Sequence, residues 1–183
     1  MKKILVTIGV FLMTIVGVAA MVVLIPNSLG GNIVKEAQAM GYLSYTPEEA
    51  TELAYQRCSI CHTEENILKY CTRCGPPFIV VSHNMKRYIE MSNAQNKDLK
   101  LKQFTDAELV AISQVWNALV GNWEGDWPTK DLRKLLDGDE ALIRLLDTPV
   151  SERYIEAALE GKSAPGAYER FGIGTSKELK EPL

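Results

Sequence analysis

Cys58-Ser59-Ile60-Cys61-His62 constrains the fold of this chain more than any other stretch. Two cysteines separated by two residues and followed at once by histidine form the attachment signature of a c-type haem. Each thiol can add to one vinyl group of the porphyrin. The adjacent imidazole then reaches one axial face of the iron, where a neutral nitrogen is a good ligand. Such a group also needs a second axial ligand from elsewhere in the chain, so the surrounding sequence must supply both a cover and a donor.

The first 26 residues stand apart. Ile4 to Ile25 is almost wholly apolar, contains no Asp, Glu, Lys or Arg, and follows Lys2 and Lys3. About 20 apolar residues match a hydrocarbon core of about 30 Å. The flanking charges place the N-terminus in the cytoplasm and the rest outside. The run therefore predicts a single transmembrane helix over residues 1–26. Ala37-Gln38-Ala39 offers a cleavage site for the rival reading as a secretory signal, although it lies well beyond the apolar run. Either way the remainder is exported, to the side where c-type haem is attached in bacteria. Residues 27–45, with Gly30-Gly31, read as a linker.

Lys2 and Lys3 account for two of the 20 basic residues, and the other 18 face 23 acidic ones, a net of −5. No basic stripe is available to meet phosphates, which excludes a nucleic-acid binder.

Residues 46–121 read as one helical domain. Thr46-Pro47-Glu48-Glu49 carries a capping box with proline at the first helical position, and Ala50, Leu53 and Ala54 lead at helical spacing into Cys58. After Pro76-Pro77 a second helix starts at Phe78. At about 100° per residue, Phe78, Val81, Met85, Tyr88 and Ile89 share one apolar face. His83 points away from it, among Lys86, Arg87 and Glu90, and Met91 lies well off it. The second axial ligand must stand on the buried face, which favours Met85 over His83 and Met91. Thr105-Asp106-Ala107-Glu108 opens a third helix with the stripe Leu109, Ile112, Trp116 and Leu119, suited to close the pocket.

These residues resemble a monohaem class I c-type cytochrome domain. In that family a leading helix ends in the same pentapeptide and a capped, aromatic-bearing helix closes the domain. The spacing of Phe78 and Met85 is similar to that of a compact subgroup. The resemblance covers under half the chain and implies one covalent haem c on Cys58 and Cys61. His62 would be the proximal and Met85 the distal ligand. It further implies one-electron transfer rather than catalysis, since a filled sixth position leaves no room for substrate. Histidine with methionine would give a higher potential than two imidazoles.

Cys71-Thr72-Arg73-Cys74-Gly75 departs from the pattern, because Gly75 stands where a second haem would need histidine. In an oxidising compartment Cys71 and Cys74 read as a disulfide. The rival is a four-cysteine zinc or iron–sulphur module built from Cys58, Cys61, Cys71 and Cys74, in which His62 has no role. A haem sensor or enzyme with an open distal site is a further alternative.

From residue 122 to 183 no chemical motif occurs. Short helices are expected around 130–136, 139–146 and 151–159, then an extended tail. Trp123 and Trp127 could anchor a neighbouring subunit or pack on the haem domain itself. The expected architecture is thus mainly α: an N-terminal transmembrane helix, a small class I cytochrome c-like haem domain and a helical C-terminal extension. The expected role is a membrane-anchored, single-pass electron carrier at the bacterial cytoplasmic membrane, its C-terminal domain in the periplasm. Redox partner proteins in or at that membrane, in a larger complex, would be its neighbours.

Overall fold

The computed structural model describes residues 30–63, 66–67, 75–96, 98 and 100–162. The chain divides into two units, Met1–Leu43 and Ser44–Leu183. Every regular element among the described residues is helical.

The expected transmembrane helix is corrected at this point. No helix among the described residues is long and apolar enough to cross a membrane. The longest of them has 18 residues and carries Lys86, Arg87 and Glu90. The apolar run 4–25 itself lies outside the described residues. The described residues are mainly helical.

In the first unit, α1 (Gly30–Ala39) occupies what the sequence suggests is a linker. It stops in a Schellman arrangement: Gly41 adopts φ 78°, its N–H donates to Gln38 O (2.9 Å), and Tyr42 N–H donates to Ala37 O (2.8 Å).

In the second unit, α2 (Pro47–Cys58) and α4 (Asp106–Val120) both begin in reciprocal capping boxes. Thr46 N–H donates to Glu49 Oε2 at 2.9 Å, and Glu49 N–H returns to Thr46 Oγ1 at 3.2 Å. Thr105 and Glu108 repeat this at 3.1 and 3.2 Å. Between them runs α3 (Phe78–Gln95), started by Pro77. Asn93 then holds the following loop through paired hydrogen bonds to the backbone of Leu101 (2.8 and 3.0 Å).

Helix α4 is the axis of the unit. Every residue from Ala111 to Asn117 is buried. Ala50 and Ala54 on α2 have no exposed surface, and their small side chains let α2 approach α4 closely. Helix α3 covers another side.

The C-terminal segment wraps the rest. A 3₁₀ turn (Glu124–Asp126), α5 (Thr129–Leu135), α6 (Glu140–Asp147), a second 3₁₀ turn (Val150–Glu152) and α7 (Tyr154–Leu159) follow in order. Helix α6 packs on α4 and α3, and α7 packs on α4 and α2. Leu132, Leu136, Leu142, Leu145, Ile155 and Leu159 join the same hydrophobic core as Trp116 and Phe78. Trp123 lies within this core. Its ring meets Phe78 edge-on at 6.0 Å, and its Nε1–H donates to Gly75 O at 3.0 Å. Trp127 packs against the same core, partly buried. Both tryptophans therefore serve the unit's own packing.

Polar groups fasten the wrap. Arg153, 3 % exposed, donates to both oxygens of Glu124 (2.8 and 3.1 Å) and to Glu156 Oε2 (3.2 Å). Asn117 of α4 and Asn122 donate to the same two carboxylates. Gln114 of α4 accepts from the backbone of Ile155, which ties the start of α7 to the central helix.

Candidate haem site

The pentapeptide is the last turn of α2 and the turn that follows it. Ser59 N–H still bonds to Tyr55 O (3.0 Å), and His62 N–H folds back to Cys58 O (3.1 Å). This geometry follows from the α2 stripe: Ala50, Ala54 and Cys58 step by four and lie on the side facing α4. Cys58 is therefore buried, whereas Cys61 and His62, beyond the helix end, are exposed.

A cavity of about 340 Å³ opens beside this turn. Its walls include Cys58 and His62 from the pentapeptide, Met85 and Phe78 from α3, and Trp116 from α4. Ile67, Pro76 and Val81 add apolar surface, and Asn66, Asn84 and Tyr88 add neutral polar groups. Among the described residues no Asp, Glu, Lys or Arg lines it. A half-open, largely apolar wall with a few polar groups, at the size of small-molecule sites, suits a flat, largely apolar ligand. Cys61 faces an adjoining surface depression with Tyr55, Gln56, Ser59, Ile60, His62 and Thr63, so His62 borders both spaces.

Trp116 is the back wall. It is 1 % exposed, packs edge-on to Tyr55 at 5.1 Å, and lies 6.2 Å from Phe78. Its indole N–H donates to Cys58 Sγ at 3.4 Å. Burial pushes the Cys58 thiol up to about 11, and this hydrogen bond opposes the rise. With both thiols free, only about one Cys58 in a thousand would be thiolate at pH ~8. Iodoacetamide should thus modify the exposed Cys61 faster than the buried Cys58, as followed by peptide mass spectrometry. Equal rates would mean that the back wall admits solvent freely.

The candidates for the second ligand separate by place. Met85 is partly buried at the cavity wall. Met91 is half exposed and away from it. His83 is also absent from the wall, but it is not at the surface as its charged neighbours suggest. It is 5 % exposed, with Nδ1 3.3 Å from Asp139 Oδ2, because α6 covers that side of α3. Cys71 and Cys74 lie outside the described residues, and with them the expected disulfide and the four-cysteine alternative. Among the described residues no three of His, Cys, Asp and Glu gather as a metal-binding set.

Sequence reasoning did not single out Asn66, Ile67 and Asn84, and read Pro76 only as a helix boundary, yet all four line the cavity. Asn84 sits one residue before Met85 and was legible in principle from its place on the helix. The donor set (two thiols at a helix end, one imidazole beside them, one thioether across an apolar gap) fits a covalently held haem. No family model, curated protein or solved structure matches this chain.

Proposed function

We propose that this chain is a c-type cytochrome that carries single electrons on the periplasmic side of a bacterial cytoplasmic membrane, in a larger redox complex. The observation that supports it is the meeting of Cys58, His62 and Met85, from two separate segments, at one largely apolar cavity. Cys58 and Cys61 would hold haem c through thioethers, with His62 as proximal and Met85 as distal ligand. When bound, the haem supplies the one-electron couple between ferric and ferrous iron. The chain's own residues fix that couple. Phe78, Ile67 and Trp116 would lay apolar surface against the haem, and a Met85 thioether would favour the ferrous form. With Met85 as a ligand no coordination site would remain for substrate, which supports a carrier rather than an enzyme. Redox partner proteins would meet it where His62, Ile60 and Tyr88 reach the surface.

A haem stain on a denaturing gel, from cells with working haem-attachment machinery, tests this reading. The parent chain should stain and a Cys61→Ala variant should lose most of the band, because a thioether survives denaturation while metal or free haem does not. An unstained parent would sink the proposal and leave the four-cysteine metal module in front.

A further inference from the structure

Helix α3 presents two opposite sides to two different tasks. Met85 stands at the cavity wall, and His83 lies about 200° away around the helix axis. On the cavity side Val81, Met85 and Ile89 are partly buried against the core. The other side is held. Asp139, 2 % exposed, places Oδ2 3.3 Å from His83 Nδ1 and 3.2 Å from Lys86 Nζ. Its other oxygen, Oδ1, accepts from Leu142 N–H at 3.4 Å and caps α6. One carboxylate thus joins the start of α6 to the turn of α3 that brackets Met85. Lys86 adds a weaker link to Asp106 of α4 at 3.4 Å. Upstream, the C-terminal segment grips α3 a second time, through Trp123 on Phe78 and on Gly75 O.

We infer that Asp139 is a positioning residue for the distal ligand, and that the C-terminal segment is a brace holding Met85 at the cavity from the far side of α3. The inference rests on the haem reading above. Its physical basis is that a buried carboxylate with two cationic or donor partners is a stiff link, placed on the side of α3 opposite Met85. Asp139 touches no part of the pocket, so its effect passes through His83 and Lys86.

The substitution Asp139→Ser isolates this role. Serine caps a helix about as well as aspartate, but its side chain is too short to reach α3. The test uses the full chain carrying its haem, with carbon monoxide uptake by the reduced protein as the readout and Met85→Ala as the fully opened reference. Covalent haem per chain and far-ultraviolet circular dichroism should match the parent. The population with Met85 away from the iron, and hence the uptake rate, should rise about tenfold. Lys86→Met removes one of the two links without touching the α6 cap and should raise the rate about threefold. It carries the test if Asp139→Ser loses helicity. Parental uptake rates in folded, stained variants would overturn the brace while leaving the cytochrome reading intact. An unstained parent would overturn both.

Discussion

Replacing Arg153 with methionine is expected to cost about 3–5 kcal/mol of stability, the usual result of stripping a buried ion pair of one member. The guanidinium is almost wholly enclosed and sits between two carboxylates that are themselves 8 % and 2 % exposed, Glu124 and Glu156. Its Nε–H also satisfies Thr148 O at 2.9 Å. Methionine would fill much of the volume but leave both carboxylates with only Asn117 and Asn122 as side-chain donors. A domain with about 5–15 kcal/mol in total would lose a third or more of it. Urea titration followed by circular dichroism measures the loss, and a change below ~1 kcal/mol would mean that the cluster is solvated.

The same variant has a signature in pH. Burial raises the Glu156 pKa, and Asn122, Arg153 and Asn117 oppose that rise. A carboxyl raised on folding binds its proton more tightly in the folded state. Its contribution is fully present below the unfolded pKa and is lost as pH rises through the folded value. Removing Arg153 removes one opposing interaction and widens that window. The deficit of Arg153→Met should therefore shrink as pH falls toward about 4–5, and a further Glu156→Gln change should recover part of it at neutral pH. Glu124 neighbours Trp123, so loosening this cluster also loosens the tryptophan that packs on Phe78.

What could be read from the sequence divides by distance along the chain. The two capping boxes are legible because each is closed within three residues. The short C-terminal helices are legible because Gly138, at φ 82°, and Pro149 separate them. Helix α1 was obscured by Gly30-Gly31, two poor helix formers, although Gly41 marks its end plainly. The burial of His83 was not legible. Its cover, Asp139, is 56 residues away, and among Lys86, Arg87 and Glu90 a histidine reads as solvated. Helix α4 shows the same effect. The stripe Leu109, Ile112, Trp116 and Leu119 suggests one buried side, yet Ser113, Gln114 and Asn117 are buried too. Gln114 and Asn117 are the polar residues by which α4 holds the C-terminal segment. A buried polar face cannot be told from an exposed one by periodicity, because its partners are distant in sequence. The cavity wall was legible where it is local, at Cys58 and His62. Met85 was legible only because one side of α3 is continuously apolar.

Trp116→Ala should be as costly as the loss of Arg153, about 3–5 kcal/mol for a buried tryptophan, but for the opposite reason: it removes packing and not charge. The void would run into a cavity that Trp116 already lines, and Tyr55, Phe78 and Cys58 would each lose a neighbour. Trp116→Phe keeps most of the volume and should cost only ~1–2 kcal/mol. The two variants should also move the reactivity of Cys58 in opposite directions when both thiols are free. Burial is the larger influence on that thiol, and the indole N–H acts against it. Alanine admits water and removes the larger influence, so alkylation of Cys58 should accelerate. Phenylalanine keeps the burial and removes the opposing donor, so alkylation should slow further. Acceleration in both would mean that the indole N–H contributes nothing and that Trp116 serves Cys58 only as a cover. Slowing in phenylalanine alone would establish that the back wall tunes the sulphur as well as enclosing it.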